Sequence, residues 1–434
     1  MGDPLPIALG RGSRKSKWGL EGIAEWNNAY LEDTGDGTKT GFSARAINGS
    51  ALFATLTDGT GIRRMLDLGG QLLAVGGRGL FSIGPGGSPV VRIGGIPSDG
   101  FLTMERNRRT PDPQVMIVCD GSWYVYESGT LTEGTDPDLP PPIFVIQHNG
   151  YFIAGIGDGR WFIIGPDDVE VDGLLFAEAE SNADGLVMGA VRGPDVILWG
   201  DKSADIYNDT GAPDFPYTRT MALNMGCWAA GSVAKIIAQV NKRLVDTVIW
   251  AATDNAGAFA GVYMLDGFTP LKISTGEVDR LIREEPDKAS LRSMAWTEGG
   301  AEDQRAFYAI SGTSFTRVFD TRTGEWHTRF SFGSARWQYG CVAPFNGQTI
   351  FGSAAGNTLH RSSNEMDDEN DEDIPYQITI PVISMAPHRF RVNQLWVDCL
   401  TGVGQVSTDE TQANPVMAIS YSRDGENFGA ARMC

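Results

Sequence analysis

Four histidines, His148, His327, His360 and His388, are the side chains best suited to moving protons near neutral pH, so their spacing is the first test for enzymatic chemistry. They fall in unrelated segments and none forms a His-x-x-x-His pair, so each reads as a structural or surface histidine. A hydrolytic nucleophile needs a base and an orienting partner, and no Gly-x-Ser-x-Gly elbow occurs. The five cysteines, Cys119, Cys227, Cys341, Cys399 and Cys434, are odd in number and widely scattered. That spacing is neither a disulfide framework nor a zinc knuckle, and four of them sit among apolar or aromatic neighbours. They are expected to be small buried residues, made in a reducing cytoplasm.

Phosphate and cation chemistry fare no better. Gly35-Asp36-Gly37-Thr38-Lys39-Thr40 is similar to a phosphate loop but lacks the glycine directly before the lysine. The glycine-rich stretch 76–87 joins strands and opens no helix, which excludes a dinucleotide turn. Asp33 with Asp36, or the tract 365–373, offers oxygens to calcium without the regular loop spacing such a site needs. No cofactor and no metal are expected.

The elements that would position any site are strands. Fifty-five glycines and eleven tryptophans among 434 residues favour strands joined by tight turns. Leu72–Val75 turns at Gly76-Gly77 and returns through Leu80–Ile83, and Val115–Val118 returns as Trp123–Tyr126 across Asp120-Gly121. Further copies run Tyr151–Ala154 with Trp161–Ile164, Val196–Trp199 with Ile206-Tyr207, and Val248–Trp250 with Gly261–Met264. Phe307–Ile310 with Val318–Asp320 and Ile350–Gly352 with Thr358–His360 complete seven. Such pairs are hairpin signals, and repetition at blade length points to an all-β propeller of six or seven blades, with a β-sandwich array as the alternative. Ser274-Thr275-Gly276-Glu277 has capping-box form and predicts a short helix to about Glu285, packed on the propeller flank or touching another subunit.

The chain divides accordingly. Residues 1–60, with a basic cluster at Arg11, Arg14, Lys15 and Lys17, are expected to be an extended N-terminal arm; 61–364 form the propeller body. Glu365, Asp367, Asp368, Glu369, Asp371, Glu372 and Asp373 put seven carboxylates into nine residues. So dense a like-charge run is expected to be solvated, a linker over 365–375 facing a channel or solvent. Residues 376–434 read as a smaller C-terminal β-module that stops after a hairpin, as if a closing strand were missing. The formal net charge is −19, opposite to what gripping a duplex backbone requires, so a polyanion is expected to pass without sequence-specific binding. No apolar run approaches the roughly 20 residues of a membrane span. Met1-Gly2-Asp3-Pro4 lacks a signal peptide's apolar stretch, and Pro6 stands where a myristoylation signal has Ser or Thr. A soluble protein without ordinary secretion is expected.

Two resemblances add to this. Ser422-Arg423-Asp424-Gly425-Glu426-Asn427-Phe428 resembles the Asp-box hairpin of sialidase-type propellers, where the aspartate stabilises a turn. The converging arginines, tyrosine and acid of a sialidase are not identified here. Over about 60–430, several segments resemble in the same order the packaged-DNA stabilisation proteins, tail hub or nozzle proteins of short-tailed phages. Ala177-Glu178-Ala179-Glu180-Ser181-Asn182-Ala183-Asp184-Gly185 precedes Val196–Gly200 and Ala204-Asp205-Ile206-Tyr207-Asn208-Asp209-Thr210-Gly211. Gly226-Cys227-Trp228-Ala229-Ala230-Gly231-Ser232, the helix Glu277–Arg283, Asp320–Trp326 and Ala418–Phe428 follow. Residues 1–50 match that family poorly, and the acidic tract 365–373 corresponds to none of its motifs. The resemblance implies a non-enzymatic homohexameric ring in the virion tail, below portal and head-to-tail adaptor, assembled in the host cytoplasm. It implies tailspikes or fibres and a needle or plug as partners, with packaged DNA retained until ejection. The alternatives are a tail-fibre base or a carbohydrate-binding, sialidase-like propeller.

Overall fold

The computed structural model describes residues 10–15, 24–33, 42–57, 60–179, 184–240, 243–299 and 304–381, and beyond them 383, 394–395, 397, 416–423 and 427–433. Its body is a seven-bladed β-propeller. Blade 1 comprises Ile62–Asp67, Leu72–Gly76, Gly79–Ile83 and Val90–Gly95; blade 2 comprises Leu102–Arg106, Val115–Cys119, Ser122–Glu127 and Thr130–Glu133. Blade 3 is Pro142–His148, Tyr151–Ile156, Arg160–Ile164 and Val171–Glu178, and blade 4 is Leu186–Arg192, Asp195–Gly200, Ala204–Asp209 and Tyr217–Leu223. In blade 5, Gly226–Cys227 and Ala234–Val240 both pair with Arg243–Thr253, which is followed by Phe259–Asp266 and Thr269–Lys272. Blade 6 is Arg292–Glu298, Arg305–Ser311, Thr316–Asp320 and Glu325–Thr328. Blade 7 is Tyr339–Phe345, Gln348–Ser353 and Thr358–Ser363, closed by Gly49–Thr55 from the other end of the chain.

The seven sequence hairpins are the middle strand pairs of these seven blades. Their legibility has a physical cause. A middle strand is covered on both faces by neighbouring blades, so Leu72–Gly76, Val115–Cys119, Asp195–Gly200 and Arg305–Ser311 are buried throughout. Alternation assigns each face to one neighbour. Ile117 packs with Leu73 and Val75 of blade 1, whereas Met116 and Val118 pack with Val145 and Phe152 of blade 3. Outer strands such as Thr130–Glu133 and Thr269–Lys272 are mostly exposed.

Parts of residues 1–60, expected as an extended arm, instead pair into blades of the body. Gly49–Thr55 is a blade strand, with Ala54 opposite Leu359 and Leu52 opposite His360. Glu25–Asn27 joins blade 6, parallel to Glu325–Thr328, and then pairs antiparallel with Gln377–Thr379. Trp26, at its centre, is wholly buried. These strands find their partners some 300 residues away, so no local hairpin marks them. Of the smaller C-terminal β-module, the described residues show the Gln377–Thr379 strand and a pairing of Ala418–Ile419 with Arg432–Met433; most of 382–415 lies outside the described residues.

The helix forms over Gly276–Glu284, but its cap is shifted by one residue. Thr275, not Ser274, is the N-cap, and its Oγ1 accepts from the Val278 amide at 3.4 Å. Ser274 Oγ is already engaged, donating to Asp279 at 2.6 Å and accepting from the Val262 amide. Glu277 therefore turns to Arg317, at 2.8 Å, instead of back to the cap. Val278 and Ile282 enter the core between blades 5 and 6, so the helix does pack on the flank.

Candidate functional site

The first strands of the blades ring an axial channel. At its axis they leave a cavity of about 440 Å³, lined by all seven blades. Among the described residues, its charged lining is Arg63, Arg64, Arg108, Lys235 and Arg292 against one carboxylate, Glu105. A chain of net charge −19 thus carries a basic axis. Glu105 is reached from the channel yet enclosed by protein, and burial raises its pKa against the opposing pull of Arg64 and Lys235. Arg64 lies 3.9 Å from it, and Lys235 pairs at 3.4 Å with Asp246.

The mouth where the strands begin is different. Arg63 is the extra residue of a β-bulge between Ile62 and Arg64, which aims its guanidinium at the blade 1–blade 2 junction. There it donates to the carbonyls of Gly77, at 3.0 Å, Ser98, at 2.8 Å, and Gly100, and to Cys119 Sγ at 2.9 Å. Arg292, the first residue of blade 6, donates through Nη1 to the carbonyls of Ala289, at 2.6 Å, and Leu291, at 2.9 Å, and lies over the Phe101 ring. A Cβ on Gly231 would stand 2.1 Å from the Leu291 carbonyl and 3.1 Å from Arg292 Nη1, so only glycine fits beside that guanidinium. Arg336, in the loop leading to blade 7, donates to the carbonyls of Trp337 and Tyr339. Burial lowers the Arg292 pKa, and the charges of Arg63 and Arg336 lower it further against Asp287. Sequence reasoning singled out none of these arginines, because they are scattered over 63–336; Arg63 and Arg292 meet at the axial cavity, and Arg336 acts on the charge of Arg292 from beside it.

The acidic tract takes another place. It runs beside the closing strand, with the amides of Gly49 and Ser50 donating to the carbonyls of Met366 and Asp368, and the Asn370 amide donating to the Ser50 carbonyl. Glu365, Asp367, Asp371, Glu372 and Asp373 are exposed and Asp368 is half-buried. The expectation of a wholly solvated linker fails at Glu369, which is buried and accepts from Trp337 Nε1 and from Gln338 Nε2 at 3.1 Å. Burial raises its pKa and three hydrogen bonds oppose that rise. One carboxylate can leave the run because two indole and amide donors meet it inside.

The remaining reactive side chains are separate. His148 bonds Tyr217 at 3.0 Å, His327 accepts from Arg329 Nε at 3.2 Å, and His360 bonds Thr358 at 2.9 Å. All three are buried, and desolvation lowers all three pKa values, that of His360 to about 4. Cys227 and Cys341 are buried, with thiols pushed up to about 12. Cys119 is buried as well. His388, Cys399, Cys434, Asp36 and the Asp-box residue Asp424 lie outside the described residues. The segment carrying the family resemblance is structural too. Asp184 accepts from the amides of Lys202, at 2.6 Å, and Ser203, and a Cβ on Gly185 would stand 2.2 Å from the Gly157 carbonyl.

A closed propeller whose described histidines and cysteines are buried, and whose Asp184 is spent on internal contacts, has the character of a structural body. A family model described as "Bacteriophage P22 Gp10, beta-propeller" matches residues 48–357, and the chain belongs to that family. It is a phage structural protein that stabilises packaged DNA, and not an enzyme. No curated protein matches. Among solved structures, Raptor of Chaetomium thermophilum is similar at 13% identity and a TM-score of 0.49, over 75% of this chain and 30% of that one. The WD40 propeller domain of Doa1 shares 12% identity with a TM-score of 0.44, over 73% and 97%. PorZ of the Porphyromonas gingivalis type-IX secretion system shares 12% with a TM-score of 0.42, over 76% and 39%.

Proposed function

We propose that this chain is the repeating subunit of a ring in the virion tail, a hub or nozzle below portal and head-to-tail adaptor that closes the DNA channel and conducts the genome at ejection. The observation that carries the reading is membership of residues 48–357 in the phage propeller family. The physics agrees with a mechanical task. A ring clasped by a strand from the other end of the chain is a rigid body, and a homohexamer needs rigid bodies with side faces that close by rotation. The DNA path is the lumen between subunits, since a 440 Å³ axial cavity has the size of a small-ligand pocket. Portal and adaptor proteins, tailspikes or fibres, and a needle or plug are the partners of this reading. The exposed carboxylates of the 365–373 tract face the lumen or solvent in such a ring.

The test is assembly. The purified chain is mixed with its portal–adaptor complex and measured by native mass spectrometry and particle imaging. Six copies per complex are expected; a chain that stays monomeric beside its adaptor overturns the proposal.

A further inference from the structure

We propose that the mouth of the propeller's axial channel binds a phosphate-class oxyanion, with the guanidinium donors of Arg292 and Arg336 as ligands and Arg63 adding charge. This goes beyond the ring reading and holds whether or not the chain assembles.

Three observations carry it. Arg63 and Arg292 line one open-mouthed cavity large enough for a small anion, and Arg336 is close enough to act on the charge of Arg292. Among the described residues, none of the three makes an ion pair within 4 Å. Their partners are backbone carbonyls and one thiol, which orient the guanidiniums without neutralising them. Asp287 and Glu285 act on Arg292 and Arg336 only at longer range, and Glu285 is already engaged by Thr313 and Ser290.

Burying like charges together is costly unless a counter-charge joins them. A multivalent oxyanion meets that need, and the planar guanidinium fork matches its geometry. Arg292 spends Nη1 on two carbonyls, which leaves Nε and Nη2 as donors. Arg63 has both terminal nitrogens engaged, so it supplies field rather than a bond.

The full chain is titrated with inorganic phosphate at constant ionic strength, following melting temperature and calorimetric heat. Saturable stabilisation is expected beyond that of chloride. Arg292→Gln and Arg336→Gln should each weaken binding at least about tenfold, and Arg292→Lys, which keeps charge and loses the fork, should fall between. Melting in chloride alone shows that each variant folds. Single-stranded oligonucleotides with and without a 5′-phosphate separate the sources of the group. Binding only of the 5′-phosphorylated strand, lost in Arg292→Gln, assigns the site to a nucleic-acid terminus; binding of free phosphate assigns it to the ion. Absence of both phosphate-dependent stabilisation and binding of the 5′-phosphorylated strand, or equal stabilisation of parent and Arg292→Gln, overturns the proposal. So does oligonucleotide binding indifferent to both the terminal phosphate and Arg292.

Discussion

His360 shows how one buried group makes stability depend on pH. Its only cause of shift is desolvation, which holds the folded pKa at about 4, whereas an unfolded histidine titrates near 6.5. Above pH 6.5 both states are neutral. As pH falls from there toward 4, the unfolded chain takes up a proton that the folded chain refuses, so stability is lost, by up to about 1.4 kcal/mol per pH unit. His360→Gln removes that loss. Its stability relative to the parent, from urea unfolding, should rise between pH 7 and pH 5, and a constant difference would refute the assignment. Glu369 tests burial within a charged run. Glu369→Ala leaves the Trp337 indole without its acceptor and should cost about 1–3 kcal/mol, while Asp371→Asn and Asp373→Asn should stay within about 0.5 kcal/mol. Equal effects at all three would mean that the buried carboxylate contributes nothing.

At the scale of elements, the closing strand joins the chain's ends and gives the propeller its continuity. Leu56, just beyond it, is 1% exposed and packs with Ile62, Leu72 and Cys341, which brings blades 1 and 7 together. Leu52, four residues earlier, is 51% exposed. Leu56→Ala should therefore destabilise by about 2–5 kcal/mol and Leu52→Ala by less than about 0.5 kcal/mol, read from denaturant midpoints. If the two variants unfold alike, the clasp is not where the structure places it. The helix is subordinate by comparison: Val278 and Ile282 fill a gap between blades, and Arg317 holds Glu277 against it.

For the whole molecule, the charge is divided between axis and exterior. The whole chain carries a net −19, whereas the described lining of the channel holds five cations and one carboxylate, and that channel is far too small for a duplex. A net charge of this sign opposes a duplex backbone, so duplex DNA should migrate unchanged beside the protein in a gel-shift measurement at physiological salt. A retained duplex would show that an outer face carries a positive patch strong enough to reverse the net field.

The hairpins, the helix and the order of family segments are local: strands adjacent in sequence pair with each other, and burial on both faces writes a continuous apolar run. The sequence by itself therefore determined an all-β chain and the seven middle strand pairs, with a propeller of six or seven blades as the expectation; the tertiary structure decided on seven blades over a sandwich array. Tertiary structure alone decided that Gly49–Thr55 closes blade 7, that Glu369 is buried against Trp337, and that Arg63 and Arg292 line one cavity. Such groups come together across up to 300 residues of chain, and a side chain's own neighbours in sequence carry no trace of a partner supplied by the closing of a ring.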